Sequence, residues 1–580
     1  MNMIPRAVRI LVLGVMTGLP GATAAVPVGV ASGPAASTQP WGVYAWGAAR
    51  RGVVPKDMPI RGIPLSWRWA QLEPARDQYA FAEQVRRPLE EARANNQFTH
   101  IMLWVAPNTP EWVYEAGVPK VIMPERITPA RVKQKPEYPY YFSPLYKEIL
   151  HQTVRALADY IAALPADLKD RIIFIQVAEG STGDGQPYKG VPIERKYHIN
   201  ENDWNEYRRT TWAYYQSQFQ RADRSLHIPL LVNGDANTAM ENQWLLEHCA
   251  VFGVKQGMFS HGYLVSETVE RLARWERFRA EARAKGHVIF SRGEQDEEWR
   301  VCGWSGQNPP RAFYWAGLFA LHCKLDVWNV PVDALATEPI GEAVRTFNRY
   351  AGFNEPAGSP GAFCALRRGL DASDTTSFPV GKFGPAEKNN RARYVAIASA
   401  YAPLGARQGD PDKALGGGMR NRQADDQNDV GWGIWPGNFD RHLVQLRPDE
   451  TSIGVWNVGP AKHPYGLFAR RFDTATRRRA MNFQIADGFF AAPGKPQNVR
   501  LRVVYLDVGQ GRWDLVHATA RGEQLARSVE LAGSGEWREI SVTLTDSIWD
   551  HRLGGGGDLA LRHAGGTDTV FHLLELARGK

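Results

Sequence analysis

The sequence predicts an α/β chain, a (β/α)8 TIM barrel followed by a C-terminal all-β sandwich of jelly-roll type. Three observations carry that prediction. From Trp41 to about Asn354, short apolar or β-branched runs alternate with amphipathic helices, the order that builds a parallel sheet. The runs number eight, the barrel number. From about Gly431 onward the pattern becomes short alternating strands with turn residues between them, as in a sandwich.

The candidate barrel strands are Gly42–Trp46, Ile60–Trp67, Thr99–Val105, Ile172–Val177, Pro229–Asn233, Gln256–Ser260, Val288–Ser291 and Asp326–Val330. Between them, Ser143 reads as an N-cap before an N1 proline, Pro144, with Leu150, Val154, Leu157, Ile161 and Leu164 following at helical spacing. Ser266 likewise precedes Val269, Leu272 and Phe278, and that helix stops at Lys285-Gly286. Between the first two strands, Ala48–Pro59 is too short for a good helix. After Asn354 a last helix, Arg391–Tyr401, precedes the glycine run at 416–418. The expected organisation is a signal peptide over 1–25, a leader over 26–40, the catalytic barrel over 41–355, a connecting segment over 356–430 and the sandwich over 431–580.

The first residues address the compartment. Arg6 and Arg9 are followed by the apolar stretch Ile10 to Leu19 and the small-x-small pattern Ala22-Thr23-Ala24, which together read as a secretory signal. The mature chain is therefore expected to be secreted or periplasmic, and no later run is long and uncharged enough to span a bilayer. Composition is globular, at 44% hydrophobic and 22% charged. The net charge of +8 is scattered, so it reads as solvated surface rather than a field for an acidic partner. Cys249, Cys302, Cys323 and Cys364 lack zinc-site spacing and leave either disulfides or buried thiols open. The glycine runs at 416–418 and 554–557 lack the Lys-Ser/Thr of a phosphate cradle, and nothing resembles a dinucleotide site, a nucleophile elbow or a nucleic-acid module. Oligomeric state is not legible.

In such a barrel the site lies at the C-terminal ends of the strands. The fourth candidate strand ends in Ala178-Glu179-Gly180-Ser181-Thr182-Gly183-Asp184, the seventh in Arg292-Gly293-Glu294, the sixth at His261 and Tyr263, and the eighth carries Trp328-Asn329. Two carboxyls across one mouth suit glycoside chemistry: one is protonated to assist the leaving oxygen, the other stays ionised to attack or to activate water. The stretch Leu65-Ser66-Trp67-Arg68-Trp69-Ala70-Gln71-Leu72-Glu73-Pro74, followed by Tyr79-Ala80-Phe81, resembles the W..LEP..G.Y.F segment of β-galactosidases of glycoside hydrolase family 42 and their relatives. Thr109-Pro110-Glu111-Trp112 is similar to their TP.W loop. The resemblance covers the barrel half of the chain and points to the large clan of retaining (β/α)8 hydrolases.

That resemblance implies Glu179 as acid/base, Glu294 as nucleophile, Trp328 as the aromatic floor under the sugar, and Tyr263 as the tyrosine that bonds the nucleophile. The clan's Asn before the acid/base is Ala178 here, so Gln176 or Asn233 replaces its contact, or the substrate is held differently. The plain alternative for Glu179 is an ion-paired loop carboxylate or, with Asp184, a calcium ligand; Glu294 has competitors in Asp296, Glu297 and Glu298. Trp328 and Tyr263 could equally be core aromatics. His261 reads as a site-lining hydrogen bonder, and Trp67, Trp104, Trp112, Trp299 and Trp304 as sugar platforms or packing residues. Arg61 either orients substrate or pairs with Glu73.

The expected function is a secreted glycoside hydrolase acting on a poly- or oligosaccharide by double displacement, chemistry that needs no metal or organic cofactor. The alternatives are a non-catalytic carbohydrate-binding protein on a degenerate barrel and a polysaccharide lyase. Sugar identity, linkage and endo or exo action depend on loop shape and are not legible.

Overall fold

The computed structural model describes residues 39–47, 54–107, 109–127, 133–134, 136–234, 237–255, 269–295, 308–407, 429–461 and 463–579. Eight parallel strands form its first sheet: β1 (Gly42–Trp46), β2 (Leu65–Arg68), β3 (Thr99–Trp104), β4 (Ile172–Gln176), β5 (Leu230–Asn233), β6 (Val251–Lys255), β7 (Val288–Glu294) and β8 (Val327–Pro331). From β2 to β8 each pairs with the next in chain order, and β1 pairs with β8. The remaining seam closes just before β2, where Gly62 bridges Tyr44 on one side and Phe98 on the other. Ala45 donates to the Gly62 carbonyl at 3.0 Å, and Arg61 donates to that of Val43 at 2.8 Å. A Cβ on Gly62 would sit 1.8 Å from the Phe98 carbonyl oxygen, so the cylinder closes there only around a glycine.

The sixth strand corrects the sequence reading. The expected run, Gln256–Ser260, lies outside the described residues, and the strand is Val251–Lys255, directly after the preceding helix. Gly253, in the middle of that strand, is a packing position: a Cβ there would meet the Phe290 ring at 2.1 Å. Strand β7 also runs further than its apolar stretch, so that Glu294 is its last residue rather than a loop residue. Strand β2 is shorter than expected because the segment from Ile60 to Pro64 makes only the Gly62 bridge.

Helices α1 (Pro144–Ala162), α2 (Glu201–Phe219), α3 (Thr238–His248), α4 (Val269–Ala284), α5 (Pro309–His322) and α6 (Gly341–Tyr350) lie between and after the strands. The Ser143 hydroxyl caps α1, accepting from the Tyr146 N–H at 3.4 Å. Every residue of α5 from Arg311 to His322 is buried, as befits a helix apolar on all sides. One face of α5 covers the barrel; the other, through Trp315, meets Phe439 and Phe468 of the sheets that follow.

Those sheets are antiparallel. The larger joins Phe439–Arg441, Gly361–Ala365, Val570–Arg578, Phe468–Arg471, Ile453–Trp456, Gln497–Leu506 and Trp537–Ser547. The smaller joins Leu443–Gln445, Ala480–Ile485, Leu559–Gly566, Gly511–Thr519 and Gly522–Glu530. Their facing sides enclose Trp513, Phe472, Phe483, Leu501 and Phe571, and together they form a β-sandwich. Gly361–Ala365, ahead of the glycine run at 416–418, is already a strand of the larger sheet. Cys249 and Cys364 are buried free thiols, Cys323 is buried as well, and Cys302 lies outside the described residues. Among the described residues no helix is long and apolar enough to cross a membrane.

Candidate active site

The barrel interior is layered from an apolar floor to a charged mouth. Tyr44, Phe174, Leu231, Phe290 and Val327 pack the lower end. Above them His100 meets the Asn329 side chain at 3.1 Å, and burial drives the His100 pKa down to about 3, leaving a neutral ring. Arg292, fully buried, donates to Gln176 Oε1 at 2.8 Å and lies over the Trp46 ring at 5.1 Å.

Strand alternation explains the next layer. Phe290, Arg292 and Glu294 point to one face of β7, and Gly253 and Lys255 to one face of β6. Glu294, only 6% exposed, pairs with Arg292 and with Lys255, whose Nζ lies 3.0 Å from Glu294 Oε1. The same Nζ lies 3.0 Å from Asp184 Oδ1, and Lys189 pairs with the other Asp184 oxygen. Burial alone would raise the Glu294 pKa, but Lys255 and Arg292 outweigh it and hold the carboxyl well below the usual range. Burial likewise opposes ionisation of Asp184, and Lys255 and Lys189 overcome it, so its pKa is also lowered. The Lys255 ammonium is desolvated, yet its two carboxylate partners raise its pKa.

Glu179 occupies a different environment. It is 0% exposed, its Oε2 lies 2.5 Å from Arg208 Nε, and its Oε1 accepts from the Asn233 backbone N–H and Nδ2, each at 3.2 Å. Arg208 continues to Glu241 Oε1 at 2.6 Å, and Glu241, buried beside it, has a pKa pushed up to about 7. Glu179 and Glu294 therefore have different counter-ions, Arg208 for the one and Lys255 with Arg292 for the other. Asn233, Gln176 and Arg292 link the two, and Glu179 turns back toward α2, where Arg208 is its counter-ion. Of the alternatives open at the sequence, the ion-paired carboxylate describes its geometry, and Asp184 is the acidic residue of that loop which reaches the mouth.

The other expected site residues divide by strand face. Gln176 and Asn233 lie inside the barrel, both bonded to the Gly183 carbonyl, at 2.9 and 2.8 Å. Trp104, half-buried, stands beside them, with its Nε1 3.7 Å from where a Gly183 Cβ would be. Trp328 is no sugar floor: Asn329 takes the inward position on β8, so Trp328 faces outward, fully buried against Phe313 and Phe347 at 6.1 and 5.2 Å. Trp67 also packs outward, donating to the Gln84 carbonyl at 3.1 Å, and Trp112 donates to that of Glu73 at 3.2 Å. Arg61 sits at the opposite, N-terminal end of the barrel on the Trp41 carbonyl, and Glu73 is held instead by Trp69 and Thr153. His261, Tyr263 and Trp299, like Trp304, Asp296, Glu297 and Glu298, lie outside the described residues. The sequence reading gave no role to Lys255, Lys189 or Arg208; the signal for Lys255 was its place two residues after Gly253 on one strand face.

The architecture defined by this pairing is a (β/α)8 barrel with a charged mouth, carried on a β-sandwich. No known protein-family model matches the sequence, and no curated protein does. Among solved structures, the cold-adapted β-galactosidase from Rahnella sp. R3 is 12% identical with a TM-score of 0.31, over 51% of this chain. The match spans about half, 52%, of that β-galactosidase. A Bacteroidetes-affiliated GH5 cellulase linked with a polysaccharide utilization locus is 9% identical, with 56% of this chain, 94% of that one and a TM-score of 0.35. Xylanase 10B from Thermotoga petrophila RKU-1, solved with xylobiose, is 12% identical, with 50% of this chain, 82% of that one and a TM-score of 0.28. With TM-scores this low, the barrel rests on its own strand pairing and the chemistry on its own side chains.

Proposed function

We propose that the protein is a glycoside hydrolase that cleaves a poly- or oligosaccharide with retention, Glu294 acting as nucleophile and Asp184 as acid/base. One observation carries this reading: at the C-terminal ends of the barrel strands, Glu294 and Asp184 each place an oxygen 3.0 Å from the same Lys255 nitrogen. Those oxygens can be no further apart than twice that distance. That fits the near spacing of ~5–5.5 Å between carboxyl groups that goes with double displacement, rather than the ~6.5–9.5 Å that leaves room for a water and gives inversion.

In the first step a Glu294 oxygen attacks the anomeric carbon while Asp184 protonates the departing glycosidic oxygen. In the second, Asp184 takes a proton from water, which displaces Glu294 and releases the sugar. Glu294 is suited to attack because Lys255 and Arg292 keep it ionised. Asp184 must carry a proton at the moment of cleavage, so Lys255 has to leave it for the incoming sugar's hydroxyls. Glu179, expected in this role from the sequence, is sealed against Arg208 and Asn233. No metal or organic cofactor enters these steps. The segment 1–25 supports secretion or periplasmic export, and the sandwich, packed on α5, supports a bracing role for residues 431–580.

The test is a panel of polysaccharides and aryl glycosides, with product anomers followed by NMR. Retained configuration, with turnover lost in Glu294→Gln and Asp184→Asn, is the expected result. Unchanged hydrolysis by Glu294→Gln, inverted product, or unsaturated ultraviolet-absorbing ends would each overturn the assignment. Binding without turnover by the wild type would favour a carbohydrate-binding protein.

A further inference from the structure

The Glu179–Arg208–Glu241 cluster has one cation and two carboxylates, all buried. Burying ions is costly, and well-packed apolar side chains of similar size would serve stability as well or better. What apolar groups cannot do is impose direction on a neighbouring amide. Glu179 Oε1 accepts from both the backbone N–H and Nδ2 of Asn233, which turns the amino side of that amide toward the carboxylate. Nδ2 also donates to the Gly183 carbonyl at 2.8 Å. Asn233 Oδ1 is then left facing Gln176 Nε2 at 3.5 Å, and Nε2 donates in turn to the Gly183 carbonyl. This presents Gln176 Oε1 to Arg292, which pairs with Glu294.

The Gly183 carbonyl, gripped by two amides, is the last backbone acceptor before Asp184. It sits in an unfavourable turn, with Thr182 at φ 56° and Gly183 at φ 76°, pinned by Thr182 N–H on the Ala106 carbonyl at 2.8 Å. We propose that Glu179 is a positioning residue: through Asn233 it fixes the Gly183 carbonyl, and with it the loop that carries Asp184 to Lys255. This rests on the reading of Asp184 as the acid/base. Arg208 and Glu241 hold Glu179 in place, and Glu241 is itself tied to the start of α3 by the Asn237 N–H at 3.0 Å.

Among the described residues, the charged groups facing Asp184 are Lys189 from its own loop and Lys255 from β6, with Glu294 and Arg292 of β7 beyond Lys255. Loosening the loop draws Asp184 away from Lys255, so its pKa returns toward the ordinary carboxylate value. The experiment compares Glu179→Gln, Asn233→Ala and Asp184→Ala in the full-length protein, using aryl glycosides with good leaving groups, with and without azide. Glu179→Gln should lose ~10²-fold in kcat with KM little changed, as for a reacting group displaced by about an ångström. Its alkaline limb of kcat/KM should move up by ~1 pH unit, and azide should not restore it, because no surface of Glu179 is open to a small anion. Asp184→Ala should be restored by azide, with a glycosyl azide as product.

Azide rescue of Glu179→Gln, or an unmoved alkaline limb in a folded Glu179→Gln, overturns the proposal. Should Glu179→Gln fail to fold, Asn233→Ala cuts the same link without stranding a buried charge; its limb must also move up, and an unmoved limb is refutation. A wild type without turnover, or an Asp184→Ala variant that hydrolyses normally, defeats the proposed reaction instead. An azide-rescued Asp184→Ala beside wild-type behaviour in both other variants defeats only the positioning role.

Discussion

Replacing Lys255 with methionine removes a charge shared by both mouth carboxylates while keeping the side chain's length and most of its packing. Two unit charges 3.0 Å apart attract by ~5–6 kcal/mol at an effective dielectric of ~20, and Lys255 makes two such contacts. Desolvation offsets much of this, and removal of one partner from a buried pair typically costs ~3–5 kcal/mol. Asp184 keeps Lys189 and Glu294 keeps Arg292, which places the expected loss near ~3 kcal/mol at neutral pH. Both carboxylates have folded pKa values below their ordinary ones. Their stabilising contribution is therefore complete above the ordinary carboxylate range and is lost as pH falls through the folded values. The gap between wild type and Lys255→Met should be widest near pH 7 and narrow below about pH 4. In the same variant the alkaline limb of kcat/KM should rise by ~1–2 units, because Asp184 regains proton affinity. Urea unfolding and pH–rate profiles on one preparation read both effects. A folded variant whose stability gap is constant with pH, and whose alkaline limb stays in place, would refute the shared-ammonium account of this mouth.

Other perturbations probe the scaffold. Gly62→Ala puts a methyl 1.8 Å from the Phe98 carbonyl at the barrel seam, and urea unfolding should show a loss of ~3 kcal/mol or more, or no folded protein; near-neutral stability would argue against this closure. Trp315→Ala empties the contact with Phe439 and Phe468 and should cost ~3–5 kcal/mol, with calorimetry showing the sandwich and the barrel less tightly coupled; one unshifted transition would count against the bracing role. His100, His442 and His572 are each driven by burial from 6.5 to about 3, so they fold neutral and charge on unfolding. Their contribution is full above pH 6.5 and lost as pH falls toward 3. His572→Asn should flatten the fall in urea midpoint between about pH 6.5 and 4, and an identical slope would place the acid sensitivity elsewhere.

What is local and periodic in this chain is legible from the order of its residues alone. Runs of apolar residues at β4 and β7, the Ser143-Pro144 start of α1 and the alternation after Gly431 define elements without reference to neighbours. The parallel order follows from helices between strands, and the site's location at the strand ends follows from the barrel. Glu294 could be found that way because it ends a strand on the inward face. Period-two alternation divides each strand into two faces but does not say which one the closed cylinder turns inward, and that was decided in three dimensions. It set Trp328 outward and Asn329 inward, and made Lys255 the bridge between two acids. Glu179 was hardest to read, because its fate depends on Arg208, 29 residues away on α2, and on Glu241, 33 further still. An ion pair across that span leaves no periodic trace, since Coulomb attraction depends on distance in space and not along the chain.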